Sequence, residues 1–171
     1  MVCNKRLIGL DPGLRKTGWG IVDCDGVSVT YVGCGVVSPP SNDEMSDRLA
    51  FLHGGLARII EEWQPDSAAI EETFVNKNAS STLKLGQARG VVMLTPALAG
   101  LAVAEYHNRV VKLSVVGTGR AAKQQIHLMV RHLLPGANPQ TEDEADALAI
   151  AICHAHHSIA KIQRSRLGAN I

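Results

Sequence analysis

The stretch Lys5-Arg6-Leu7-Ile8-Gly9-Leu10-Asp11-Pro12-Gly13 decides the fold of this chain. A short, mostly apolar run ends on a carboxylate and is turned at once by Pro12-Gly13, which reads as a buried strand carrying an acid at its tip. The chain then returns. Thr17–Cys24 reads as a second strand, Asp25-Gly26 is a hairpin signal, and Val27–Val37 reads as a third strand. Three antiparallel strands therefore open the fold.

Outward from this meander, Ser38-Pro39-Pro40-Ser41 is a loop. A helix is predicted from about Asp43 to Trp63, because Leu49, Leu52, Leu56, Ile59, Ile60 and Trp63 recur at helical spacing. Pro65-Asp66 ends it. Ser67-Ala68-Ala69-Ile70-Glu71 is a short apolar strand that again finishes on an acid. Beyond a loop, Ser80 or Ser81 can cap a long helix reaching about Ala104, with Pro96 expected to kink or divide it. Arg109–Val116 is read as a fifth strand, Thr118–Leu134 as an amphipathic helix, and Thr141 to about Lys161 as the last helix. The order βββαβαβαα predicts an α/β fold with a mixed five-stranded sheet and helices on both faces. One domain is expected over residues 1–160, with a basic flexible tail at 161–171.

The 171 residues suit one domain, and 46% hydrophobic residues supply a core, which excludes bulk disorder. A two-lobed kinase or ATPase would need roughly 200–300 residues. The apolar run Gly90–Glu105 is too short to span a membrane and contains Pro96. The first residues lack the layout of a secretory leader, so a cytoplasmic protein is expected. Cys3, Cys24, Cys34 and Cys153 are scattered and read as reduced thiols. The run His154-Ala155-His156-His157 has no zinc-binding spacing. The net charge of +1 conceals a segregation: residues 1–72 carry −5, residues 73–141 carry +7 with Glu105 as their one acid, and residues 142–171 carry −1. A basic face beside concentrated carboxylates suits a polyanion cut with the help of metal ions.

The carboxylates are Asp11 and Glu71 at strand ends and the group Glu142, Asp143, Glu144 and Asp146 at a helix start. Thr141 with Glu144 forms a capping box, which accounts for Glu144, and Glu142 reads as solvated. Asp146 heads the apolar stripe Asp146, Ala149, Ile150 and Cys153, where an ionised group is costly unless paired or metal-bound. Asp143 lies one turn earlier on the same side. Asp11, Glu71, Asp143 and Asp146, with no matching His or Cys, call for hard cations, magnesium first. Two such ions about 4 Å apart can bracket a phosphate during in-line displacement.

The segments Ile8-Gly9-Leu10-Asp11-Pro12-Gly13-Leu14-Arg15-Lys16-Thr17-Gly18, Ile70-Glu71-Glu72-Thr73-Phe74, Leu85-Gly86-Gln87-Ala88-Arg89-Gly90, Val115-Val116-Gly117-Thr118-Gly119 and Asp146-Ala147-Leu148-Ala149-Ile150-Ala151 resemble the RuvC family of Holliday junction resolvases. The resemblance runs from about Leu7 to His156. It implies a ribonuclease H-like fold and a homodimeric, Mg2+-dependent endonuclease with two ions per site, Mn2+ being a substitute. Such an enzyme cuts two strands of like polarity across a four-way DNA junction and leaves 5′-phosphate and 3′-hydroxyl ends. It further implies a branch-migration motor of the RuvA and RuvB type as partner. The family's metal-binding acids fall on Asp11, Glu71, Asp143 and Asp146, its junction-wedging aromatic on Phe74, and its lysines near the scissile phosphate on Lys112 and Lys123. From the residues alone, an aromatic in a loop beside Glu71 can stack on an unpaired base. Arg15, Lys16, Lys77, Lys84 and Arg89 are further candidates for backbone contacts.

Two other functions compete. Asp11-x-Gly13 with Gly18 on a hairpin resembles the first phosphate loop of actin-like and sugar-kinase-like nucleotide-binding proteins, although no second phosphate motif follows. A non-catalytic junction-binding module would use the same acids only as caps and strand ends. Two symmetric cuts also predict a C2 dimer, with the long helix after Phe74 at the interface through Leu83, Leu85, Gly86 and Val92.

Overall fold

The computed structural model describes residues 4–72 and 78–168. Its elements are β1 (Lys5–Asp11), β2 (Thr17–Cys24), β3 (Val29–Val37), α1 (Met45–Trp63), β4 (Ser67–Glu72), α2 (Ala79–Leu98), β5 (Ala102–His107), α3 (Asn108–Val116), α4 (Lys123–Leu133) and α5 (Glu142–Gly168). The five strands form one sheet in the order β3-β2-β1-β4-β5. β1 and β3 flank β2 in antiparallel pairings, whereas β4 runs parallel to both β1 and β5. The fold class matches the expectation from sequence.

Strand alternation assigns each face of the sheet. Ile8, Leu10, Ala68 and Ile70 turn to one side and are buried with Leu52 and Leu56 of α1 and Ala88 and Val92 of α2. Leu7 and Ala69 turn to the other side and are buried with α3, α4 and α5. The run Ala147–Cys153 in α5 is buried all round, because the helix lies between the sheet below and α3 and α4 above. Such a helix has no polar face, which explains the unbroken Ala-Leu-Ala-Ile-Ala-Ile sequence.

Three glycines let α5 lie low on the sheet. A Cβ at Gly9 would stand 2.3 Å from the Ala147 carbonyl oxygen, and one at Gly20 would stand 2.8 Å from the Leu148 nitrogen. At Gly18 it would meet the Asp143 carbonyl oxygen at 2.0 Å.

The region 99–116 corrects the sequence reading. The helix does not continue to Ala104. It stops at Leu98, where Gly100 takes a φ of +81°. The Gly100 N–H bonds the Ala97 carbonyl and the Leu101 N–H bonds the Pro96 carbonyl, which together form a Schellman closure. The fifth strand is therefore Ala102–His107, and Arg109–Val116, expected as a strand, lies in helix α3 (Asn108–Val116). Its β-branched residues favour a strand by local propensity. Tertiary packing overrides this, because Val111 and Val115 lie one helical turn apart and both enter the core. Helix α4 starts at Lys123 rather than near Thr118, and α5 runs on to Gly168, through residues expected in the tail.

The histidine run is structural. His154 bridges Ser67 Oγ and Tyr106 Oη at 2.9 Å each, His156 meets Ser114 Oγ at 2.9 Å, and His157 approaches the Cys153 carbonyl at 2.8 Å. Cys24, Cys34 and Cys153 are free thiols.

Candidate active site

Strand parity delivers the first two acids. Asp11 follows Leu7 and Gly9 on the face covered by α5, and Glu71 follows Ala69 on the same face. Leu10 pairs with Ile70 in the β1–β4 ladder, so the next residues, Asp11 at the end of β1 and Glu71 one residue before the end of β4, follow side by side on neighbouring strands. Asp11 is also the ladder partner of Gly18, and Gly18 lies under the main chain of Asp143. The low seat of α5 thus carries Asp143 and Asp146 over the strand ends.

The electrostatics record this convergence. Burial, followed by repulsion from Asp146, Glu71 and Asp143, pushes the Asp11 carboxyl up to about 8, with Lys123 opposing. Burial also raises Glu71, opposed by a hydrogen bond from Asn108 and by Lys112 and Lys123. Asp146 is raised by burial and held back by Lys123 and His127. Lys123 Nζ lies 3.7 Å from Asp146 Oδ2 and 3.5 Å from Glu142 Oε2. Lys123 is the first residue of α4, where a cation opposes the helix dipole. Its placement there works against helix stability and is balanced by the acids it faces.

Four carboxylates massed without a stoichiometric set of cations form a donor set for hard divalent ions. Among the described residues, no three His, Cys, Asp or Glu side chains are drawn together into a closed metal-holding cluster. The fit therefore rests on the chemistry of the donors and on their mutual repulsion, which a bound cation would relieve. The four acids suit such an ion.

Two hollows adjoin the acids. A small one of about 50 Å³ is lined by Glu71, Asn108, Lys112, Lys123 and Asp146, with Val111, Ile126 and Ala149 behind them. An open groove of about 590 Å³ runs past Asp143 between Gly13, Leu14, Arg15, Lys16 and Arg48 on one side and Ser81, Lys84 and Leu85 on the other.

The structure thus brings Asp11, Glu71, Asp143, Asp146, Lys112 and Lys123 to one place, with Arg15, Lys16 and Lys84 in the adjoining groove. Phe74 and Lys77 lie outside the described residues. Arg89 departs from the expectation of a DNA contact. Its guanidinium pairs with Glu105 and with Met93 Sδ at 3.1 Å, and its Nε donates to the Glu71 carbonyl at 3.4 Å, so its charge is used within the protein. Glu144 serves as a cap, since Thr141 Oγ1 accepts from the Glu144 N–H and Glu144 Oε2 from the Thr141 N–H, both at 3.2 Å.

Sequence reasoning missed Arg48, Asn108 and His127. Arg48 reaches the groove from α1 and donates to the Leu14 carbonyl at 2.9 Å, while its buried Nε has no partner among the described residues. His127 stands one turn after Lys123 with Nε2 3.6 Å from Asp146 Oδ1. Only the Lys123–His127 helical spacing hinted at this second contact.

A three-stranded antiparallel meander extended by two parallel strands, with acids at adjacent strand ends beneath an acid-bearing helix, defines a ribonuclease H-like nuclease. Residues 7–154 match the family described as crossover junction endodeoxyribonuclease RuvC, and this chain belongs to that family. The RuvC of Azorhizobium caulinodans is 64% identical over 152 residues, covering 89% of this chain and 90% of its own length. That of Rhodopseudomonas palustris is 52% identical over 164 residues, covering 96% and 94%. Among solved structures, Thermus thermophilus RuvC in complex with a Holliday junction substrate superimposes with a TM-score of 0.85 at 30% identity, over 92% of this chain and 96% of that one. A yeast mitochondrial Holliday junction resolvase shares the fold, with a TM-score of 0.67 at 12% identity over 98% of this chain and 86% of that one. Enzymes of this family are metal-dependent DNA nucleases, which decides against the nucleotide-binding and non-catalytic alternatives.

Proposed function

We propose that this chain resolves Holliday junctions in DNA recombination and repair by hydrolysing one phosphodiester on each of two opposed strands, leaving 5′-phosphate and 3′-hydroxyl ends. The observation that carries this reading is the convergence of Asp11, Glu71 and Asp146 on one face of the sheet, with Lys123 beside them. Asp11, Glu71, Asp143 and Asp146 would hold two Mg2+ ions, with Mn2+ as a substitute. When bound, such ions supply charge neutralisation at the phosphate and a more acidic water.

The protein's own groups do the remaining work. Lys112 and Lys123 face the carboxylates from α3 and α4 and offset phosphate charge at the reacting position. Arg15, Lys16, Arg48 and Lys84 line the groove that leads to Asp143 and hold the strand by its backbone. By family resemblance Phe74 wedges at the crossover, and Lys77, from the acid-poor stretch, is a further candidate for a backbone contact.

Two symmetric cuts need two sites at a set separation, which a C2 homodimer provides. Helix α2 supports this role, but not through Val92, which is fully buried in its own core. Its outward stripe is Leu83, Gly86, Gly90, Leu94 and Leu98. The three leucines are 66%, 54% and 68% exposed, and both glycines have open space at the Cβ position. A branch-migration motor of the RuvA and RuvB type is the further partner, and the cytoplasm, where chromosomal junctions arise, is the site of action. Among the described residues no helix is long and apolar enough to cross a membrane.

A mobile four-way junction incubated with the protein, with and without Mg2+, tests the proposal. Paired cuts at symmetric positions, made only with the metal, are expected. Tight junction binding without any cleavage in Mg2+ or Mn2+ would overturn it.

A further inference from the structure

We infer that Asn108 is a positioning residue for Glu71, orienting that carboxylate toward the cation it is proposed to hold. The inference rests on the four-carboxylate reading and names a residue outside it. Asn108 Nδ2 donates to Glu71 Oε1, and among the described residues this is the hydrogen bond that the Glu71 side chain makes. The contact joins β4 to α3, which are separated by 37 positions in the chain.

Three features make Asn108 suited to this task. First, the start of α3 is capped by its neighbour: the His107 side chain accepts from the Arg109 N–H at 3.2 Å. The Asn108 amide is thus not needed as the helix cap and turns to the carboxylate instead. Second, Asn108 and Lys112 are one helical turn apart, about 6 Å along the axis. Both line the small hollow that also holds Glu71 and Asp146. Four positions apart in a strand, they would be about 13 Å from each other and could not share it. Third, an amide orients without cancelling. Lys123 draws Asp146 by charge, which competes with a cation for the same carboxylate. Asn108 is neutral, occupies one oxygen and leaves the charge of Glu71 available.

Glu71 has particular need of such a partner. The other three acids are aspartates, with two side-chain torsions each. Glu71 has a third, so its carboxylate has the most orientations to lose on ligation. Partners that hydrogen-bond a ligating carboxylate typically change metal affinity 10- to 100-fold when removed.

The test uses Mn2+ alone and the DNA-free full-length protein, with free Mn2+ followed by its electron paramagnetic resonance signal. Asn108→Ala should raise the Mn2+ dissociation constant about 10-fold or more at an unchanged melting temperature. Asn108→Gln, which keeps the amide donor, should recover part of the loss. Wild-type Mn2+ affinity in Asn108→Ala would overturn the inference. So would equal losses in Asn108→Ala and Asn108→Gln that track a fall in melting temperature, since Asn108 would then be only a structural element of α3. Should Asn108→Ala not fold, Asn108→Ser, whose hydroxyl falls short of Glu71, decides by the same criteria. Glu71→Gln is the control. If it too binds Mn2+ like the wild type, the four-carboxylate reading fails rather than the role of Asn108.

Discussion

Gly18 supports the main chain of Asp143: a Cβ at position 18 would stand 2.0 Å from the Asp143 carbonyl oxygen. Gly18 is also the ladder partner of Asp11. A single missing side chain therefore sets how closely the start of α5 approaches the strand that carries Asp11. Backbone cannot swing aside as a flexible side chain can.

Gly18→Ala should consequently cost about 1–3 kcal/mol of stability from overpacking. The loss of cleavage should be larger than that of folding, because Asp143 and Asp146 move with the helix. A displacement of about 1 Å at a catalytic group can cost about 100-fold. Cleavage rates measured well below the melting transition test this, and wild-type rates there would count against it.

Asp11→Asn, Glu71→Gln and Asp146→Asn should each abolish cleavage while leaving junction binding in Ca2+ intact, since the basic groove is untouched. Asp143→Asn should also be damaging. Glu144→Gln keeps an acceptor for the Thr141 N–H and should cleave nearly normally. Gel-shift and single-turnover cleavage assays on the same junction separate the two effects.

Arg48→Ala and Lys84→Ala should weaken junction binding and flatten its salt dependence by about one unit of log–log slope each, with little change in saturated turnover. Lys123→Ala should act differently. It removes the cation 3.7 Å from Asp146, so saturated turnover should fall even when the junction is fully bound. Equal effects on binding and turnover in all three variants would erase this distinction.

The buried His154 predicts a pH dependence of stability. Burial, then repulsion from His157 and Lys5, lowers its titration to about 4 from an ordinary 6.5. The native state therefore favours the neutral ring. Its contribution is complete above about pH 6.5, declines as the pH falls toward 4, and is constant below that. Its full size is about 3 kcal/mol. Urea melts between pH 7 and 4 should show this slope, and His154→Gln should remove that part of it.

Gly86→Glu places a charge on the outward stripe of α2 where a Cβ meets open space. It should leave the fold intact and shift sedimentation from dimer to monomer, with paired cutting lost. A wild type that sediments as a monomer both free and on the junction, yet cuts both strands in concert, would contradict the dimeric arrangement.

Much of this protein was legible before any tertiary contact was known. The run ending at Asp11 and the Asp25-Gly26 hairpin declared three antiparallel strands, and the short apolar run ending at Glu71 declared a further strand, because period-2 alternation and turn chemistry are local, whereas the parallel pairing of that strand with β1 came from the fold. Asp146 stood out because a charge at the head of an apolar helical stripe demands a partner. The capping role of Glu144 was equally local.

What tertiary structure alone decided lies where local preference and packing disagree. The valines of Asn108–Val116 favour a strand, but burial of Val111 and Val115 one turn apart on the core makes the segment a helix. That choice places Asn108 against Glu71 and Lys112 in the hollow beside it. Arg89 reads as a free cation in an acid-poor stretch, yet the β4–β5 pairing brings it Glu105, 16 residues away. The approach of Asp143 to Asp11 depends on an absent side chain at Gly18, whose effect exists only when α5 lies across the sheet. Local spacing determines which residues a chain can present on one face. Only the contacts between elements distant in sequence determine which of those residues meet.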